Sequence, residues 1–142
     1  MITLRNVQTI SGHITDIRIQ SHETRTIDAA GLTYFPGLID PHVHFRTPGH
    51  EHKENWISAA KACMHGGYTT VLDMPNNSPA CVSETRLRAK IALIEEQLKT
   101  VDIPLRYGLY LGADRNHLNE IPKVQGLVVG VKVFMGASTG DL

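Results

Sequence analysis

The fold is decided by the stretch Leu38-Ile39-Asp40-Pro41-His42-Val43-His44-Phe45-Arg46. Its apolar start predicts a strand, and the spacing of His42 and His44 turns both imidazoles to one face, because strand side chains alternate with a period of two. Two neutral imidazoles can hold a divalent metal ion such as zinc at about 2.0 to 2.1 Å. The spacing alone also fits two unconnected surface histidines, so the metal site depends on the rest of the pattern.

After residue 36 the sequence alternates between predicted strands and helices. The predicted strands cover residues 38–44, 69–74, about 105–111 and 127–135, and the predicted helices cover 54–65, a longer segment capped by Ser83, and a short stretch near 116–121. In the longer helix Leu87, Ile91, Ile94 and Leu98 form one apolar stripe. Strands that alternate with helices indicate a parallel sheet with right-handed crossovers. Four such units are half of a (β/α)8 barrel, which takes about 250 residues in full, so residues 36–142 are predicted to be its incomplete first half.

Residues 1–35 have a different pattern. Short alternating segments, Ile2-Thr3-Leu4 and residues 14–19, are interrupted by Ser11-Gly12 and end at Gly31. This pattern is typical of small antiparallel strands. We therefore expect a separate N-terminal β-strand segment before the barrel.

Composition excludes several classes of function. The chain has 142 residues, 14 basic and 14 acidic side chains and 42% hydrophobic residues, so it offers no electrostatic bias toward nucleic acid or anionic membranes. No apolar run approaches the roughly 18 residues of a membrane span, and Cys63 and Cys81 are too few for a disulfide framework. A cytoplasmic protein with a small-molecule substrate is expected.

Lys132 is the second strong feature of the sequence. It lies within Val128-Val129-Gly130-Val131-Lys132-Val133-Phe134, a β-branched run that predicts a buried strand. An unpaired ammonium in such a strand would cost several kcal/mol, so either its pKa falls or a partner neutralises it. A lysine at the strand end whose amine reaches solvent is the alternative interpretation.

Further motifs follow the histidine pair in a fixed order. They are Pro36-Gly37 before the strand, then Pro48-Gly49, Lys53-Glu54, Gly66-Gly67-Tyr68-Thr69-Thr70 and Met74-Pro75-Asn76. Together with His42 and His44, these motifs resemble the start of the amidohydrolase superfamily, and within it the dihydroorotases. The resemblance runs from about Pro36 to the last residue. One departure is Thr47, where many members have Glu, and we interpret it as a change in loop capping.

The resemblance implies a function and a set of site residues. The family reaction would be the reversible, zinc-dependent hydrolysis of the cyclic amide of L-dihydroorotate to N-carbamoyl-L-aspartate, in pyrimidine biosynthesis. His42, His44 and Lys132 would be metal ligands, with Lys132 carboxylated and bridging two zinc ions. Arg46 and Asn76 would bind the substrate carboxylate, although Asn76 without this context reads as a turn residue. The N-terminal strands would be part of a small β-sandwich.

The resemblance also implies what this chain lacks. The family's two further histidines and its catalytic aspartate would lie beyond Leu142, so no catalytic residue is expected here and the isolated chain is expected to be inactive. We expect it to form homo-oligomers or to associate with the missing half of the barrel, because exposed strand edges favour pairing. Asp73 is predicted to be a buried hydrogen-bonding residue, and His50 and His52 are predicted to lie outside the metal site.

Two alternatives remain at the level of sequence. A non-catalytic half-barrel could act only as an assembly partner, but it would have no need of His42, His44, Lys132, Arg46 and Asn76. A hydantoinase or allantoinase would share the two histidines, and the Arg46 and Asn76 pair argues against that activity.

Overall fold

A computed structural model describes residues 1–136 and 142, which divide into two units, Met1–Pro36 and Gly37–Leu142. Residues 137–141, at the end of the predicted 36–142 segment, lie outside the described residues. Among the residues described, no helix has both the length and the apolar character needed to cross a bilayer.

The first unit contains a mixed sheet in the order β2-β1-β3, formed by β1 (Ile2–Gln8), β2 (Ile14–Ile19) and β3 (Arg25–Asp28). β1 and β2 are antiparallel as predicted, but β3 is parallel to β1, so the expectation of antiparallel strands was wrong for β3. The connection, residues 20–24, can cross β1 because five extended residues reach about 16 Å. The two outer strands of such a sheet are only about 10 Å apart.

The second unit contains four parallel strands in sequential order. They are β4 (Leu38–Val43), β5 (Tyr68–Asp73), β6 (Arg106–Gly112) and β7 (Gly130–Lys132). The connections contain α1 (Trp56–His65), α2 (Glu84–Lys99) and a 3-10 helix (Leu118–Val124). Because all four strands run in the same direction, their carboxyl ends lie at one edge of the sheet. The fourth predicted strand, residues 127–135, is paired over only three residues.

Both α-helices begin at polar caps. The side chain of Asn55 accepts hydrogen bonds from the backbone N–H groups of Ile57 and Ser58, so α1 begins at Trp56 and not at the predicted residue 54. The side chain of Ser83 accepts from the N–H of Arg86 and caps α2 as predicted.

The core of the second unit lies between the sheet and its helical connections. Its buried members are Phe45, Trp56, Ala59, Ala60, Val71, Cys81, Leu87, Ile94, Leu105, Leu109, Leu111 and Val124. Of the predicted stripe on α2, Leu87 and Ile94 are fully buried, and Ile91 and Leu98 pack against the core. A charged residue, Lys90, is also buried on α2.

Candidate active site

The two histidines of the opening motif lie at the carboxyl end of β4. His42 is within the strand and exposed, and His44 follows the strand and is half-buried. Their ring centroids are 5.3 Å apart with an angle of 46° between the ring planes. The structure therefore brings the two imidazoles together at the edge where the parallel strands end.

Asn76 orients the ring of His44. The Nδ1 atom of His44 lies 2.8 Å from Oδ1 of Asn76, whose side chain is buried in the turn after β5. Since an amide oxygen only accepts hydrogen bonds, Nδ1 of His44 is the donor. In the neutral ring the lone pair is then on Nε2, which is the arrangement that a metal-binding histidine requires.

The surroundings of His44 favour its neutral form. Burial lowers the pKa of His44, the hydrogen bond to Asn76 raises it, and the positive charges of Arg46 and His42 lower it. The net direction is downward from the ordinary value of 6.5. The form of His44 that can bind a metal ion therefore persists to lower pH than in an ordinary histidine.

The guanidinium group of Arg46 contains a buried nitrogen atom, Nη1, that has no hydrogen-bond partner among the described residues. The residue has a φ of 64°, and its carbonyl accepts a hydrogen bond of 2.9 Å from the N–H of His50. Among residues 1–136 and 142, neither Nη1 of Arg46 nor Nε2 of His50 has a hydrogen-bond partner, although both atoms are buried. A buried cationic donor without a partner is costly, so this loop is suited to receive an anionic group.

Lys132 lies at the end of β7, in an environment that differs from the prediction. Val129, Val131 and Val133 around it are 52%, 39% and 59% exposed, so the expectation of a buried central strand was wrong for the described structure. The reason is that β7 is at the edge of the sheet, with β6 on one side of it. Lys132 itself is half-buried, and its Nζ lies 5.3 Å from the ring centroid of Phe134.

Strand register places Lys132 near the carboxyl ends of the strands, where the other candidate residues also lie. Val43 pairs with Asp73, and Asp73 pairs with Leu109. Gly112, three residues beyond Leu109, pairs with Lys132. Lys132 is therefore at the level of the turn that follows β5, the turn that contains Asn76.

A buried ion pair lies at the carboxyl end of β5. Asp73 accepts a hydrogen bond of 2.8 Å from the N–H of Phe45, as expected of a buried hydrogen-bonding residue, and its Oδ2 is 2.6 Å from Nζ of Lys90. Lys90 was not among the residues predicted from the sequence. A signal was present, because Lys90 lies three residues after Leu87 and four before Ile94, on the apolar stripe of α2.

Two other histidines have local partners. Nδ1 of His65 donates to the carbonyl of Lys61 at 2.7 Å, within α1. Nδ1 of His117 lies 2.7 Å from Oδ2 of Asp114 in the loop after β6. The rings of His50 and His52 contact each other, with centroids 6.1 Å apart.

Gly49 allows the loops after β4 and β5 to approach each other. Its φ is +95°, and a Cβ placed on it would lie 2.0 Å from the carbonyl oxygen of Ser78. The N–H of Ser78 donates to the carbonyl of Pro48 at 3.2 Å. The loop that carries Arg46 is therefore packed directly on the backbone of the loop that carries Asn76.

We expect Gly49→Ala to destabilise the protein more than the backbone conformation alone would require. Gly126→Ala is the matched control, because Gly126 has a φ of +81° but nothing within 4 Å of an added Cβ. Both variants should lose about 1 kcal/mol from the left-handed backbone, and Gly49→Ala should lose about 1 to 3 kcal/mol more from the clash. Urea unfolding measures the difference. Equal losses in the two variants would contradict the close packing of the loops.

The residues present fit part of a metal site. Neutral imidazoles suit zinc and similar ions, and the Asn76 contact leaves Nε2 of His44 available. Among the described residues, no group of three or more His, Cys, Asp or Glu side chains is placed to hold a metal ion. His42 and His44 would thus need further ligands of another kind or from elsewhere.

Comparison with known proteins gives consistent results. A family model described as the amidohydrolase family matches residues 33–136. A dihydroorotase from Methanothermobacter thermautotrophicus is 38% identical over an alignment of 146 positions, which covers 96% of this chain and 31% of that protein. An allantoinase from Deinococcus radiodurans is 34% identical over 136 residues, which cover 93% of this chain and 29% of that protein.

A solved structure shares the fold. The L-hydantoinase (dihydropyrimidinase) from Arthrobacter aurescens superposes with a TM-score of 0.80 and 26% sequence identity, covering 99% of this chain and 35% of that one. The predicted fold, the first half of an amidohydrolase-type (β/α)8 barrel preceded by a small β segment, is thereby confirmed. The chain spans about a third of the length of these relatives.

Proposed function

Because the chain belongs to the amidohydrolase family, we propose that it supplies the first half of the active site of a metal-dependent dihydroorotase. The reaction would be the reversible hydrolysis of the ring amide of L-dihydroorotate to N-carbamoyl-L-aspartate. The similarity to the dihydroorotase of Methanothermobacter thermautotrophicus supports this substrate. Since the chain spans about a third of such relatives, the activity is proposed for a full-length protein in which these residues are joined to the rest of a barrel.

The observation that carries the proposal is the unpaired donor of Arg46. Its Nη1 is buried and has no hydrogen-bond partner in the described part of the chain. Dihydroorotate carries a carboxylate on the same ring as the amide that is hydrolysed, and a carboxylate can accept two parallel hydrogen bonds from a guanidinium. Arg46 is also close enough to His44 for its charge to lower the pKa of that ring. Arg46 would therefore hold the substrate carboxylate while the ring amide lies over the histidines.

Asn76 would have two roles at this site. Its Oδ1 is engaged by His44, which leaves its amide N–H groups as donors toward the same substrate carboxylate. Two anchors on neighbouring loops would fix the orientation of the ring, and such fixed orientation lowers the barrier of the following step.

His42, His44 and a carboxylated Lys132 would hold the metal ions. When bound, zinc would polarise the amide carbonyl and lower the pKa of a water molecule. The contribution of this chain is to keep the two imidazoles adjacent and, through Asn76, to fix the ring of His44.

A second candidate is a cyclic amidase of the allantoinase or hydantoinase type. It is supported by the 34% identity to the allantoinase from Deinococcus radiodurans and by the structural likeness to L-hydantoinase. Neither allantoin nor a simple hydantoin carries a carboxylate, so neither would pair with the buried donor of Arg46.

A substrate panel tests the proposal. We expect the full-length protein, loaded with zinc, to hydrolyse dihydroorotate with a kcat/KM at least about 100-fold above its values for allantoin and hydantoin, because a missing partner for a buried polar group is heavily penalised. Removal of the metal with a chelator should abolish the activity, and added zinc should restore it. A preference for allantoin or hydantoin would reject the dihydroorotase assignment in favour of the second candidate.

A further inference from the structure

A buried ammonium group lies directly behind the candidate metal ligands. Lys90 and Asp73 are each 1% exposed, and their Nζ and Oδ2 atoms are 2.6 Å apart. Nζ of Lys90 also donates to the carbonyl of Met74 at 3.1 Å and to Oδ1 of Asn77 at 2.7 Å. Lys90 therefore joins α2 to the segment 73–77 at three points, through one ion pair and two hydrogen bonds.

The same segment is fixed to both neighbours of His44. Oδ1 of Asp73 accepts from the N–H of Phe45 at 2.8 Å, and the N–H of Met74 donates to the carbonyl of Val43 at 2.9 Å. Val43 precedes His44, and Phe45 follows it. The backbone on either side of the candidate ligand is therefore tied to residues that Lys90 contacts.

The side chain of His44 is held by this segment as well. Asn76, whose Oδ1 accepts from Nδ1 of His44 at 2.8 Å, lies between Met74 and Asn77 in the chain. Lys90 contacts the residues on both sides of it, the carbonyl of Met74 and the side chain of Asn77. The position of the Asn76 amide thus depends on a turn that the contacts of Lys90 with Met74 and Asn77 fix in place.

We infer that Lys90 is a positioning residue for His44: by fixing segment 73–77 it keeps the Asn76 amide on Nδ1 of His44 and leaves Nε2 for the metal ion. The inference rests on the proposed role of His44 as a metal ligand. The orientation of the ring, however, is a property of the protein without metal and can be measured separately.

Energetics favour this role over a purely stabilising one. Burying two charges is expensive, and well-packed apolar side chains of similar volume often stabilise a protein as well or better. An apolar residue at position 90 would continue the stripe of Leu87 and Ile94 on α2. It could not, however, orient the carbonyl of Met74 and the amide of Asn77, which the ammonium does.

The test is Lys90→Met in the full-length protein, with two measurements. In metal-free protein, nitrogen-15 NMR of the imidazoles should show His44 protonated at Nδ1 in the wild type and shifted toward the Nε2-protonated tautomer in the variant. Zinc affinity should fall by about 10- to 100-fold, as for other residues that orient a metal ligand. A wild-type tautomer together with wild-type zinc affinity would overturn the inference.

Ile94→Ala is the matched control, since Ile94 is 0% exposed on the same helix and is assigned to the apolar core. Because it leaves a cavity in the core, it should lower the urea concentration at the midpoint of unfolding. Well below its melting temperature, the His44 tautomer and the zinc affinity should remain unchanged. Equal changes of the His44 tautomer and of the zinc affinity in Lys90→Met and Ile94→Ala would show that Lys90 has only a structural role. That result would overturn the inference.

Asn77→Ala decides the case if Lys90→Met fails to fold. It keeps the ion pair with Asp73 and removes one of the three ties of Lys90, so it should shift the His44 tautomer in the same direction with a smaller loss of zinc affinity. An unchanged tautomer in Asn77→Ala would then count against the inference. A full-length protein that shows the tautomer shift but does not hydrolyse dihydroorotate would reject the proposed function and leave the positioning role in place.

Discussion

Arg46→Ala in the full-length, zinc-loaded protein is expected to lower kcat/KM for dihydroorotate by about 30- to 900-fold. The estimate follows from about 2 to 4 kcal/mol for a charged contact in a buried position, at about 1.36 kcal/mol for each factor of ten. The buried Nη1 of Arg46 has no acceptor among the residues that the structure describes. Removing it should therefore cost the substrate contact and break no hydrogen bond of that atom within the described chain.

Two controls separate charge from geometry in this experiment. Arg46→Lys keeps the positive charge but loses the planar fork, so it should recover only part of the activity. Any residual hydrolysis of an uncharged hydantoin should change little in Arg46→Ala, because that substrate has no carboxylate to bind. A variant with near-wild-type kcat/KM for dihydroorotate would show that the carboxylate is bound elsewhere, and the substrate assignment would lose its main support.

The strands and helices of the second unit were predictable because their signals are local. Short apolar runs marked β4, β5 and β6 to within one or two residues, and the stripe of Leu87 and Ile94 marked the buried face of α2. Pairing direction and edge position are not local properties. The parallel placement of β3 and the exposure of β7 depend on which strands become neighbours, and no periodicity within a segment contains that information.

The candidate site was predictable where one motif contained it. The spacing of His42 and His44 gave their proximity, since both lie on one short segment. The hydrogen bond between His44 and Asn76 joins loops 32 residues apart and depends on tertiary packing. Lys90 is an intermediate case, because its place on the apolar stripe indicated a buried charge but not the partner that neutralises it.

Lys132→Ala is expected to remove most of the bound metal and, with it, the activity. Lys132 ends β7 at the level of the turn after β5, so its side chain begins at the edge where His42 and His44 lie. The ammonium of Lys132 would first lose a proton, and addition of the neutral amine to carbon dioxide with loss of a second proton would form an anionic carbamate. Its oxygens are ligands that two imidazoles alone do not provide. The loss of zinc affinity should exceed the roughly 100-fold typical of residues that only orient a ligand. Zinc content per chain and the rate of dihydroorotate hydrolysis measure the outcome.

Three comparisons make the result specific to a carboxylated lysine. Lys132→Arg keeps a positive charge but should lose zinc like Lys132→Ala, because a guanidinium is not carboxylated. Lys123→Ala, which removes an exposed lysine paired with Glu120, should retain full zinc content and activity. Formate or acetate should partly restore Lys132→Ala by placing a carboxylate in the vacated volume, and should not affect the wild type. Full zinc content in Lys132→Ala would remove Lys132 from the metal site, and His42 and His44 would then need ligands from other parts of the full-length protein.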